Sequence, residues 1–159
     1  MNNAEFVYTT YIKTTPEKVW AAITNPEFAR QYWETELHSD WKKGSKWQSK
    51  SGKKEGGCNI GGEILESAPP KRLVISWVDP SDMDTSRVTF EIESIENMVR
   101  LNVVHDKLTA GSEMAKGISM GWPRVLSSMK SLLETGKALD TWAGHASTCS
   151  STDAKGAAA

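Results

Sequence analysis

The stretch GWPRVLSSMKSLLETG, residues 121–136, decides how this chain folds. Trp122, Val125, Leu126, Met129, Leu132 and Leu133, with Ile118 just upstream, recur at steps of three and four residues, which places them on one face of an α-helix. Proline lacks the N–H that a helix interior needs, so Pro123 predicts that the first turn lies here, with Ser119 as N-cap and Gly136 as the C-terminal stop. A stripe this wide needs an apolar surface to lie on. It either plugs a core or closes a pocket.

Working upstream, residues 109–116 read as a polar link, and before it come short runs that alternate with period two. Residues 72–78 (RLVISWV), 87–95 (RVTFEIESI) and 98–105 (MVRLNVVH) are the clearest. Their connections are too short for parallel crossovers, so they predict antiparallel neighbours. Val88, Phe90 and Ile92, then Val99, Leu101 and Val103, share one face, while Thr89, Glu91, Glu93, Arg100 and Asn102 share the other. One side is buried and one is wet. Glycines at 44, 52, 56, 57, 61 and 62, with Pro69-Pro70 and Asp79-Pro80, punctuate further short strands between residues 36 and 106.

At the N-terminus, residues 5–13 alternate as a strand, with Phe6, Tyr8, Thr10 and Ile12 on one face. Two helix starts follow: Thr15 before Pro16-Glu17 and Asn25 before Pro26-Glu27, each a capping side chain, a proline at the first helical position and a carboxylate near the positive helix end. They predict helices over 16–24 and 26–33. The expected architecture is α+β: a strand, two short helices, an antiparallel sheet, and a long C-terminal helix covering its buried face. A single domain over residues 1–142 follows, with residues 143–159, small and polar, expected to be a disordered tail.

Composition excludes several classes. The formal net charge is -1 with 25% charged residues, which gives no push toward nucleic acid or anionic membrane. The lysines at 42, 43, 46, 50, 53 and 54 around Trp47 have no second aromatic spaced to stack a following base, and read as a solvated hairpin. GGCNIGG, residues 56–62, lacks the lysine of a phosphate loop. Three histidines without HxxxH spacing, and only Cys58 and Cys149, predict no metal, no cofactor and no disulfide. No leader or run of about 18 apolar residues occurs, so a cytoplasmic setting is expected. Seven tryptophans stand out. Such enrichment marks either a wide aromatic core or an aromatic-lined cavity.

The segments TTPEKVWAAITNPEFARQYW, APPKRLVISW, VTFEI, RLNVVHDKL and GWPRVLSSMKSLLETG together resemble the activator of heat-shock protein 90 ATPase homologue domain, over residues 5–136. That resemblance implies the START-like (SRPBCC) helix-grip fold, in which a curved antiparallel sheet wraps a long C-terminal helix and often leaves a hydrophobic cavity. The superfamily includes lipid carriers, polyketide cyclases, hormone receptors and co-chaperone domains, so fold alone does not name the activity. The resemblance implies a small hydrophobic or amphipathic ligand; Trp77, which alternates with Leu73 and Ile75 on one strand face, and Trp122 and Leu126, on the helix stripe, together with Trp33, Trp47 and Phe90, are its candidate lining, with a filled core as the alternative. His105, matching a histidine of the family at the end of its strand, is the polar candidate, either as a ligand partner or as a structural hydrogen-bonding residue. No catalysis is expected. A cyclase or aromatase using His105 or Glu66 to move protons is the enzymatic alternative, and a chaperone-associated or stress-response partner, as monomer or homodimer, is the interaction alternative. His38 with Asp40, and Glu34 with Glu36, are spaced to share a strand face as an acid–base set, but no nucleophile motif accompanies them.

Overall fold

The computed structural model describes residues 3–33, 35–51, 60–79 and 84–139. Strand β1 (Asn3–Ile12) leads into α1 (Pro16–Thr24) and α2 (Pro26–Tyr32). Then come β2 (Thr35–His38), β3 (Lys46–Ser51), β4 (Gly61–Ala68), β5 (Arg72–Asp79), β6 (Asp84–Ile95) and β7 (Met98–Thr109), and finally α3 (Glu113–Thr135). The seven strands form one antiparallel sheet in the order β1-β7-β6-β5-β4-β3-β2. It is the α+β helix-grip architecture that the sequence predicts. Residues 143–159, Glu34, Cys58 and Cys149 lie outside the described residues.

The two short helices are set by their caps. Thr15 Oγ1 accepts from the Lys18 N–H, and Asn25, which also ends α1, accepts on Oδ1 from the N–H groups of Glu27 and Phe28. Each occupies orphan donors that a first turn leaves unpaired. The buried Tyr32 hydroxyl donates to the Ala22 carbonyl at 2.7 Å and ties α2 back onto α1. Burial raises its pKa far above the usual phenol range.

The sheet's inner face follows the alternation. Leu73, Ile75 and Trp77 on β5, Val88, Phe90 and Ile92 on β6, and Val99, Leu101 and Val103 on β7 are all buried, and with Val125, Leu126 and Met129 of α3 they form one core. The outer face carries an ion-pair network. Arg72 bridges Glu66 and Glu91, Arg87 grips Asp106 with two bonds, and Arg100 pairs with Glu93.

Two expectations need correction. Helix α3 starts not at Ser119 but at Glu113, capped by Ser112, whose Oγ accepts from the Ala115 N–H at 3.0 Å; the second half of the expected link, residues 113–116, is helix. Pro123 therefore lies well inside the helix, where it leaves the Ser119 carbonyl without its usual partner, a cost of about 3 kcal/mol that tertiary packing must offset. Burial of Met114, Trp122, Val125, Leu126 and Met129 along the same helix supplies that packing. Strand β7 also runs past His105 to Thr109, through a bulge opposite Ala4 and Phe6 at which Lys107 takes φ 60° and Leu108 returns to the core. Gly136 ends α3 in the left-handed conformation, φ 84°, as predicted.

Candidate functional site

Trp47, Trp77, Phe90, His105, Trp122 and Leu126 all lie buried between α3 and the inner face of the sheet, and Trp33, at the C-terminal end of α2, packs against them while remaining partly exposed. The register explains why three of them meet. Trp47 on β3 stands opposite Gly62, and the residue next across on β5 is Trp77. Gly62 lets β4 lie close against Ser76 of β5, and the two indoles approach to 5.2 Å between ring centroids. The Trp47 N–H then reaches over β4 to the Ser76 carbonyl at 2.8 Å. Gly62 cannot be otherwise, because a Cβ there would lie 2.1 Å from the same carbonyl oxygen.

From α3, Trp122 enters the centre of this array. Its ring lies 5.7 Å from Trp77, 5.8 Å from Phe90 in an edge-to-face arrangement, and 5.6 Å from Trp33. A continuous aromatic run thus passes from the partly exposed Trp33 through Trp122 and Trp77 to Trp47. Leu126, fully buried one turn beyond Trp122, backs it. Beside Trp47, a groove of about 450 Å³ is lined by Lys46, Gln48, Ile60, Gly61, Gly62 and Val78.

His105 sits inside the array, its imidazole edge-on to both Trp77 and Trp122. Its Nδ1 accepts the Trp122 indole N–H at 3.0 Å. An indole nitrogen only donates, so Nδ1 carries no proton and Nε2 must. Nε2 is 2.6 Å from Ser86 Oγ and therefore donates to it. The serine passes its own proton toward Met114 Sδ of α3, 3.2 Å away, with the Trp77 carbonyl at 3.4 Å. Burial pushes the His105 pKa down to about 3, against a small opposing pull from Asp106.

This geometry limits what His105 does chemically. Serine beside histidine resembles a nucleophile pair, but a base must accept the serine proton, and here the histidine nitrogen facing Ser86 is already protonated. The imidazole is neutral at pH 7, with both nitrogens occupied. Sequence reasoning missed Ser86 and Met114. The signal for Ser86 was its parity with Val88 and Phe90, hidden because β6 begins before Arg87.

The other sequence candidates do not converge on this site. Glu66 lies on the outer face beside Arg72, its side chain 49% exposed, so it does not face the core under α3. His38 Nε2 bonds Glu36 Oε1 at 3.0 Å, and Glu36 also pairs with Arg30 at 2.8 Å. Asp40 instead caps the following turn through the Lys42 N–H, and hydrogen bonds from the Ser45 hydroxyl and from that N–H hold its carboxyl below the usual range. Glu34 lies outside the described residues. Lys46 and Lys50 are exposed while Trp47 turns inward, so in the β2–β3 hairpin that ring offers no face to a base. Among the described residues no group of three or more metal-ligating side chains gathers, and no helix is long and apolar enough to cross a membrane.

Residues 13–134 match the family model described as Activator of Hsp90 ATPase homolog 1-like protein. Among solved structures, the Aha1 dimer from Colwellia psychrerythraea superposes with a TM-score of 0.71 at 20% identity, covering 85% of this chain and 99% of that one. ChR145 from Cytophaga hutchinsonii gives 0.68 at 26% identity, over 82% and 93%. DynU16, a protein of the dynemicin biosynthetic locus, gives 0.68 at 24% identity, over 84% of this chain and 48% of that one. No curated protein sequence matches the chain.

Proposed function

The chain belongs to the Activator of Hsp90 ATPase homolog 1-like family, and from that premise we propose that it binds one small hydrophobic or amphipathic molecule between α3 and the sheet, without chemistry on it. The observation that carries this reading is the aromatic run from Trp33 to Trp47. An aliphatic core would fill the same space, but here four indoles stand in contact, three of them buried and Trp33 partly exposed, so a planar or chain-like ligand enters beside Trp33 and packs on ring faces uncovered as that side chain swings aside. Helix α3 is weakened where it matters for entry: Gly117, Gly121 and Pro123 flank Trp122, and Ser119 Oγ turns back to the Ala115 carbonyl. Phe28, Trp41, Ile60 and Ile118 are among the partly buried apolar side chains packed against the same core. The biosynthetic locus of DynU16 supports a small molecule as the thing bound. The dimeric Colwellia structure makes a homodimer the first assembly to test. His105 serves as a fixed acceptor and orienting group, not as a proton carrier.

Titration with 1-anilinonaphthalene-8-sulfonate tests the reading. The folded protein is expected to bind it saturably at about one site per chain, quench its own tryptophan emission and gain thermal stability with occupancy. Trp33→Leu should weaken probe binding while leaving the fold intact. Unsaturable binding, or saturable binding indifferent to Trp33→Leu, refutes it.

A further inference from the structure

The sheet has two edges, β1 and β2. Strand β2 is four residues long, whereas β1 has ten. A long open edge is a template for pairing unless something covers it. On β1 the cover is partial. Lys130 Nζ donates to the Tyr11 carbonyl at 2.5 Å, and the Lys13 N–H donates to Glu134 Oε2 at 2.9 Å. These bonds show that the main-chain groups of odd-numbered residues point away from β7, because the N–H and C=O of one residue share a side of the strand. Val7 and Thr9 therefore face the open edge too. Among the described residues no hydrogen bond reaches their main chains from that side.

We infer that β1 pairs antiparallel with β1 of a second copy of this chain, about a two-fold axis at Thr9. In that register Thr9 faces Thr9, Val7 faces Tyr11 and Glu5 faces Lys13, each pair occurring reciprocally. All are edge-facing residues, so main-chain bonds form at the Thr9 and Val7–Tyr11 pairs. The Tyr11 carbonyl has a second lone pair to accept the Val7 N–H while it keeps Lys130. The Lys13 N–H stays with Glu134 and ends the ladder there.

The side chains on the sheet's outer face select this axis. Val7 is 52% and Tyr11 47% exposed, two of the few large apolar side chains left open to water, and the pairing lays each on the other. Glu5 and Lys13, at opposite ends of the segment, become ion pairs. An axis at Val7 would set Glu5 against Thr9 and leave it no cation opposite, and an axis at Tyr11 would pair Thr9 with Lys13 and need the Lys13 N–H that Glu134 holds. One added strand buries an area at the low end for specific interfaces, below about 1,200 Å², so the dimer forms in a concentration-dependent way. The inference is independent of any ligand under α3.

Sedimentation velocity on the full chain, from about 5 to about 500 μM at low salt, tests it. The wild type should pass from monomer to dimer. Thr9→Pro removes the N–H at the axis and should stay monomeric, with circular dichroism and tryptophan emission unchanged. Glu5→Lys and Lys13→Glu each set like charges opposite one another twice per dimer, and each should weaken association about tenfold. An equimolar mixture of those two variants, and the double variant, should recover wild-type association. If Thr9→Pro fails to fold, the charge variants decide alone. A wild type monomeric throughout, single reversals without effect, or a mixture that fails to recover each overturns the inference.

Discussion

Acid should destabilise this protein through His105, by an amount that can be worked out. In the unfolded chain an imidazole titrates near 6.5. In the fold its pKa falls to about 3, because burial disfavours the cation and because a proton on Nδ1 would face the Trp122 N–H donor to donor. Between those values the unfolded state holds a proton that the folded state does not, so stability falls as pH falls below about 6.5 and the loss is complete near pH 3. At about 1.36 kcal/mol per unit, going from pH 7.5 to pH 5 removes about 2 kcal/mol through this one group. That is a large part of a typical stability of about 5 to 15 kcal/mol. The control is His105→Gln, whose amide oxygen can take the Trp122 N–H and whose NH₂ can donate to Ser86 without titrating. Urea unfolding of both proteins at the two pH values, with fluorescence and circular dichroism as paired probes, gives the comparison. The variant loses some stability at pH 7.5 from imperfect packing, but its own change on going to pH 5 should be smaller than wild type's by about 2 kcal/mol. Every other residue is common to the two chains, so the difference between them isolates position 105. Equal pH dependence in the two proteins refutes the neutral, doubly bonded histidine.

Two further outcomes follow from the packing. Leu126→Asp puts a carboxylate at a fully buried point of α3, costing several kcal/mol, so little folded protein should be recovered at neutral pH; near-normal thermal stability would mean that this helix face is not buried. Gly62→Ala forces a methyl group to within 2.1 Å of the Ser76 carbonyl, so β4 and β5 must separate, with a loss of about 1 to 3 kcal/mol in chemical denaturation and a change in near-ultraviolet dichroism as Trp47 and Trp77 part.

Most of the fold is legible in local patterns, and the misreadings have physical causes. Caps at Thr15 and Asn25 and the alternation of β5, β6 and β7 answer to near neighbours, so they can be read from neighbours. The start of α3 cannot. Gly117 and Pro123 oppose a helix locally, and only the packing of Met114 and Trp122 against distant strands overrides them. The bulge at Lys107 breaks the parity of β7, which made His105 look like a strand end when it lies inside the strand. The aromatic residues of the candidate site could be picked by type and face, but their meeting depends on the three-strand row Trp47, Gly62 and Trp77, a register that no single strand encodes. Ser86 was hidden because β6 begins at Asp84, before the run from Arg87 that the alternation marks. A serine acquires meaning here only from the histidine 19 positions away that it bonds.

The hydrogen bonds around His105 form a circuit that leaves α3 and returns to it. The Trp122 N–H donates to His105 on β7, His105 donates to Ser86 on β6, and the Ser86 hydroxyl points back at Met114. Met114 and Trp122 are eight positions apart on the helix, about 12 Å along its axis. Apolar contact is non-directional, and a greasy helix can roll or slide on a greasy sheet at modest cost. Two directional anchors separated by two turns stop both motions at once. Rolling swings the indole N–H away from Nδ1, and sliding carries the thioether off the hydroxyl. The helix is keyed to the sheet like a bolt with two teeth, so the aliphatic side chains around it can vary in shape while the angle and depth of the helix stay the same.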